Sequence, residues 1–165
     1  MTRVGRLINL PAGRRRVLVE AVVRLTLVNL AAPLFGFRRL CVMLSCVTPS
    51  PLVQGSVPPD EWAEVAAWAV RAAACHGPIR ANCLPRSLTL WWMLRRRGLA
   101  PQLRLGARRT ATGIEGHAWV EIQGIVLNDR PDVARDFSPL FWQSRPHGRL
   151  GVSGIVGSLT RDRGG

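Results

Sequence analysis

The sequence predicts an α+β domain in which N-terminal helices precede a central helix with a cysteine at its start, packed on an antiparallel sheet. Three observations carry that expectation. Apolar residues recur at helical spacing through the first half of the chain; the period changes to strand-like alternation in PQLRLGAR and EGHAWVEIQGIVLND; and Gln123-Gly124 divides the second run as a hairpin turn would. Helices followed by strands belong to the α+β class. The 165 residues suffice for one domain with a real core. Composition divides them into a helical extension (1–47), a proline-rich linker (48–59), a core (60–142) and a tail (143–165).

The first element, from Pro11 to about Leu44, is strongly apolar, with Arg16, Glu20 and Arg24 at i, i+4 and i+8 forming one polar stripe. Glu20 precedes Arg24 by one turn, the favourable order for a helical ion pair. The expectation is a helix docked against the rest of the protein, with contact to a membrane surface as the alternative suggested by the surrounding arginines. A spanning helix is disfavoured, because charges within the apolar run cost about 2.5 kcal/mol or more each near the bilayer centre.

The stretch TPSPLVQGSVPPD, residues 48–60, reads as a linker or ordered loop that ends at a helix N-cap, Asp60. A helix follows in DEWAEVAAWAVRAAACH, with Trp62, Val65, Ala66, Ala69 and Ala73 on one apolar face and acids in the first turn, where the helix dipole favours them. His76, Gly77 and Pro78 stop it. The central helix runs from about Leu84 to Arg97, admits Pro85 in its first turn and ends at Gly98. Leu84, Leu88, Trp91 and Trp92, with Met93 or Leu94, give it a broad apolar side. The tail RPHGRLGVSGIVGSLTRDRGG has the composition of a mobile segment, with a short docked strand around Gly154 to Val156 as the alternative.

Net charge is +13, and every basic residue is arginine. Clusters at Arg14 to Arg16, Arg95 to Arg97 and Arg108 to Arg109 are dispersed along the chain, and no zinc-finger, RNP or basic-zipper pattern accompanies them. A nucleic-acid partner is therefore not expected, and a basic surface attractive to acidic polypeptides is. Cys41, Cys46, Cys75 and Cys83 show no C-x-x-C spacing, and His76, His117 and His147 form no H-x-x-x-H pair, so neither a metal nor another cofactor is expected. The basic start is followed by Glu20, Arg24 and Asn29 without a small-residue cleavage site, which argues against a secretory signal. Free thiols in a reducing cytoplasm fit best, with membrane association through the first helix as a possible addition.

Cys83 stands where the central helix begins. A free cysteine is more often core than catalyst, yet unpaired amides and the dipole at a helix start favour a thiolate there, and the Cys83 amide can face the oxygen of an attacked carbonyl, with Asn82 as a second donor. A base is then required. His117 shares a strand face with Trp119 and Glu121, while Ala118, Val120 and Ile122 take the other. The returning strand decides which side chain stands behind the imidazole. A two-residue loop pairs Ile122 with Ile125 and sets His117 opposite Arg130. A three-residue loop with Gly124 in a bulge pairs Glu121 with Ile125 and sets His117 opposite Asp129. The second register is the expected one, with Asp129 as orienting acid and Asn128 as reserve. Cys75 and His76 are adjacent on a helix and do not face each other, and Cys41 and Cys46 read as core.

CLPRSLTLWWMLRRRGL, LRLGARR, GHAWVEIQGIVLNDRPDV and FSPL, in that order and spacing, closely resemble the transglutaminase-like cysteine peptidase part of the lasso peptide biosynthesis B protein over residues 83–140. LPAGRRRVLVEAVVRL near the start resembles it more loosely. The resemblance implies a transglutaminase-like, papain-like core and a peptidase that removes the leader from a ribosomally made lasso peptide precursor. It implies Cys83 as nucleophile, His117 as general base and acid, and Asp129 as orienting residue. It also implies an asparagine-synthetase-like cyclase as partner, which closes the macrolactam ring. Fused members of the family carry an N-terminal precursor-recognition domain; residues 1–80 read instead as helices and a loop, so the expectation is the stand-alone peptidase half served by a separate recognition protein. Two other functions fit the same residues: acyl transfer to an amine by the same triad, or a non-enzymatic scaffold for precursor and cyclase.

Overall fold

A computed structural model describes residues 11–48, 61–77 and 81–140. The proline-rich linker from residue 49 on, with Asp60, the tail from 143 onward and the strand considered near Gly154 lie outside the described residues. Four helices come first: α1 (Ala12–Phe35), α2 (Phe37–Cys46), α3 (Glu61–His76) and α4 (Cys83–Arg96). They are followed by β1 (Gln102–Thr110), β2 (Gly113–Ile122), β3 (Ile125–Val126), a single helical turn α5 (Val133–Asp136) and β4 (Ser138–Leu140).

The long apolar segment that reads as one helix is two. Gly36, at φ +74° and ψ 152°, separates α1 from α2 in a conformation that costs glycine nothing and any other residue dearly. Val17, Ala21, Leu25 and Val28 of α1 are buried in one cluster with α3 and α4. In α3 the buried residues are small: Ala63, Ala66, Ala67, Ala69, Ala73 and Ala74, with Val70. Short side chains at a helix contact set a short interaxial distance, so α1 and α3 pack closely. Trp62 and Val65, expected on that face, lie at its margin.

The polar stripe of α1 turns inward along its length: Arg16 is exposed, Glu20 half-buried and Arg24 turned against α4. Arg24 pairs with Glu20 at 2.8 Å and lays its guanidinium over the Trp92 ring of α4, 4.7 Å from the centroid. Burial lowers the Arg24 pKa, against the opposing pull of Glu20. The ion pair therefore works as a seam between α1 and α4.

Helix α4 is buried nearly all round, through Ser87, Leu88, Thr89, Leu90, Trp91, Met93 and Leu94. That central place requires its two ends to be finished locally. At the C-terminus Gly98 takes φ +80° and the Leu99 amide returns to the Leu94 carbonyl at 3.2 Å, a Schellman closure of the kind its glycine predicts.

The sheet is antiparallel with strand order β3-β2-β1-β4. Leu103, Val120 and Ile122 pack toward the helices. The other face of β2 carries Trp119, covered by Val133 and Phe137. α5 and Phe137 thus form a short second layer over His117's strand, and β4 continues from it as an edge strand on β1, features the sequence reading does not contain.

The β2–β3 turn corrects the expected register. Ile122 pairs with Ile125 and Glu121 with Val126, so the loop has two residues and no bulge. Gln123 at φ +52° and Gly124 at φ +79° both turn left-handed, as in a primed hairpin turn whose twist matches its strands. Glycine in the second position makes such a turn accessible, and glutamine accepts the modest strain of the first.

Gly106 ties the two layers together. It pairs with His117 on β2 and Pro139 on β4, and a β-carbon there would meet the Phe137 β-carbon at 2.6 Å and the Trp119 ring at 3.0 Å. Phe137 can lie against the sheet because residue 106 has no side chain. Gly106→Ala is expected to lift the second layer and destabilise the fold by about 1–3 kcal/mol. Thermal denaturation followed by near-ultraviolet circular dichroism checks this through Trp119.

Candidate active site

The site forms where the start of α4 meets β2 and the chain just after β3. Asn82 precedes α4 in an extended conformation, with its carbonyl accepting the Arg86 amide at 3.3 Å and its side chain making no cap. Pro85 has no amide to offer, so the unpaired donors at this helix start are the backbone amides of Cys83 and Leu84. Cys83 is partly buried. One turn further on, Ser87 is fully buried and donates its hydroxyl to the Ala118 carbonyl at 2.8 Å. Residues i and i+4 share a helix face, so Cys83 stacks above the point where Ser87 fastens α4 to β2, next along the strand from His117.

His117 is held at its edge and on its face. Its Nε2 lies 2.6 Å from Asp129 Oδ2, and the other Asp129 oxygen accepts the Arg130 amide at 2.8 Å. The imidazole stacks on Phe137 with centroids 4.9 Å apart and planes at 23°, while the Arg108 guanidinium covers Phe137 at 4.8 Å. Trp119, two residues along the same strand face, is fixed through Nε1 to Glu121 Oε1 at 2.6 Å, and Arg104 holds the second Glu121 oxygen at 2.9 Å. With Nε2 committed to Asp129, Nδ1 is the ring nitrogen left to exchange a proton with a substrate or thiol.

The register that was expected to set His117 opposite Asp129 is not formed, yet the two side chains meet. The ladder ends instead. In the observed register Val120 and Leu127 should exchange both backbone hydrogen bonds. The Leu127 amide does donate to the Val120 carbonyl at 3.0 Å, but the Val120 amide donates to the Asn128 side-chain oxygen at 2.8 Å. Asn128 also donates from Nδ2 to Ser87 Oγ at 2.8 Å. The chain bends out of the sheet at this point, Asn128 turns toward α4, and the next residue, Asp129, turns to the imidazole. Asn128 is consequently not the reserve partner of His117. Its amide is spent on Ser87 and Val120.

Cys83 makes no hydrogen bond to His117 among the described residues. The remaining cysteines are elsewhere. Cys41 is in the core, where burial pushes its thiol up to about 12, while Cys46 and Cys75 are exposed on helices rather than buried. No cluster of three metal-ligating side chains occurs among the described residues.

A comparison with protein families matches residues 24–142 to the transglutaminase-like superfamily. The chain belongs to the transglutaminase-like superfamily. The match begins inside α1 and ends just after β4, so it takes in the cysteine helix, the His117 strand and the second layer together. The superfamily includes cysteine peptidases and transferases. No curated protein and no solved structure matches the chain.

Sequence reasoning missed three residues of this site: Ser87, Gly106 and Phe137. Gly106 alone gave a signal, a glycine inside an alternating strand, which marks a close approach by another part of the chain. Asn128→Ala is expected to strand the Ser87 hydroxyl and the Val120 amide, lowering stability by about 1–3 kcal/mol. It should also loosen Asp129 from His117, seen by NMR as a change in the imidazole Nε2 proton signal.

Proposed function

We propose that this chain is a cysteine peptidase that removes the leader peptide from a lasso peptide precursor, with Cys83 as nucleophile, His117 as base and acid, and Asp129 as the orienting carboxylate. The observation that carries the reading is the 2.6 Å bond from His117 Nε2 to Asp129 beside a helix that begins at Cys83. Support for the choice of substrate comes from the sequence resemblance over residues 83–140.

In the proposed mechanism His117 Nδ1 accepts the Cys83 proton, and the sulfur attacks the last carbonyl of the leader. The tetrahedral oxyanion faces the unpaired amides of Cys83 and Leu84, which are present before substrate arrives and need no reorganisation. His117 then passes the proton to the leaving amine of the core peptide, leaving an acyl-enzyme that water hydrolyses with His117 as base. Asp129 keeps the imidazole in the tautomer with Nε2 protonated and stabilises the imidazolium. A separate recognition protein presents the precursor, and an asparagine-synthetase-like cyclase takes the released core peptide. The reaction belongs to a reducing cytoplasm, where all four thiols remain free.

The test mixes the protein with precursor and recognition protein and follows products by mass spectrometry. The wild type is expected to release leader with the elements of water added, and Cys83→Ala to release none. Asp129→Ala should slow release by roughly a hundredfold or more, and Asp129→Asn less, because an amide can still hold the ring. Release by Cys83→Ala would remove the nucleophile assignment. An amide formed to an added amine would reassign the chain to acyl transfer.

A further inference from the structure

From Val19 to Leu34 the exposed side of α1 is apolar. Val19 is 59% exposed, Val23, Leu27 and Leu30 each more than half, and Leu34 77%. Their spacing follows one line along the helix, with Arg16 at its N-terminal head and no charged side chain on it from Val19 to Leu34. Behind them Val17, Ala21, Leu25 and Val28 are buried in the core. A helix at a solvated surface turns polar residues outward. Here both the inner and the outer sides are apolar, and the Glu20–Arg24 pair sits between them against α4. Positive charge brackets the outer row: Arg14, Arg15 and Arg16 are exposed at its start, and Arg39 is exposed on α2 beyond its end.

We infer that the outer face of α1 docks on an anionic lipid surface, lying in the interfacial plane while its inner face stays in the core. Lipid fits the row better than a protein does. Protein interfaces draw their affinity from Trp, Tyr and Arg seated in pockets, and leucine and valine are under-represented among such anchors. An interfacial helix needs only a continuous apolar strip with cations at its borders, and each exposed arginine adds attraction to anionic headgroups. The net charge of +13 brings the whole molecule toward such a surface. α1 has the length and composition to cross a bilayer, at 24 residues. Crossing would pull Val17, Ala21, Leu25 and Val28 out of the core and place Glu20 and Arg24 in hydrocarbon, so lying flat is the arrangement compatible with the fold.

Val23, Leu27, Leu30 and Leu34 also have the alternating spacing of a coiled-coil seam, which makes a second copy of the chain the competing occupant. The test uses the full chain in co-sedimentation with phosphatidylcholine vesicles, with and without phosphatidylglycerol, alongside sedimentation velocity without lipid. The protein is expected to pellet with the phosphatidylglycerol vesicles, less so as salt rises, and to remain monomeric without lipid. The Leu27→Gln, Leu30→Gln double variant should partition at least about tenfold less with an unchanged thermal melt. Leu34→Gln, at the most exposed position, serves if the double variant melts early. Failure to pellet with anionic vesicles overturns the inference. So does unaltered pelleting of the glutamine variants, which would reduce the contact to charge alone. A lipid-free dimer that those variants dissolve assigns the face to a second copy.

Discussion

The arrangement of the site depends on one side chain, Asn128, whose amide bonds replace a rung of the sheet. It accepts from the Val120 amide and donates to Ser87, which in turn donates to the Ala118 carbonyl. Three segments are joined in this way: the first turns of α4, the middle of β2 and the chain leaving β3. The first carries Cys83, the second His117 and the third Asp129. Burial makes the junction stringent, since Ser87 is fully enclosed and an unpaired hydroxyl or amide there would cost about 1–3 kcal/mol. The same bonds that end the ladder release Asp129 from strand geometry and let it reach the imidazole edge.

A second constraint acts on the other side of the ring. His117 is stacked on Phe137, and Phe137 can reach it because Gly106 leaves the space empty. The imidazole therefore has its edge set by Asp129 and its plane set by Phe137. A ring fixed in both respects presents Nδ1 in one direction, which the proposed proton exchange with Cys83 requires. The amides of Cys83 and Leu84 come from a helix held on nearly all sides, so the proposed oxyanion donors and the proposed base are both carried by buried elements.

The helices and the β1–β2 strands were legible because their signals are local. Periodicity gave α3 and α4 nearly to the residue, and Gly98 marked the end of α4 through its left-handed φ. Gly36 gives no local signal because apolar helical spacing continues across it. The polar stripe of α1 was legible, but which of its members turn inward was not: Arg24 finds a tryptophan ring on another helix while Arg16 stays in water, and sequence spacing cannot tell the two apart. The hairpin register failed for a similar reason. Gln123-Gly124 admits both loop lengths, and the choice of Asp129 rested on strand pairing that gives way at Leu127. What the sequence could not display is a side chain acting in place of a backbone carbonyl, which is the step that brings Asp129 to His117.

The account requires Cys83 to be activated by His117. Alkylation by iodoacetamide at neutral pH, resolved by peptide mass spectrometry for each cysteine, reads this without any substrate. Cys46 and Cys75 are exposed and serve as internal references, and buried Cys41 should stay unmodified. Cys83 is expected to react faster than both references in the wild type, although it is the less exposed, and to lose that lead in His117→Ala. Equal reactivity of Cys83 and the references, unchanged by His117→Ala, would contradict the account.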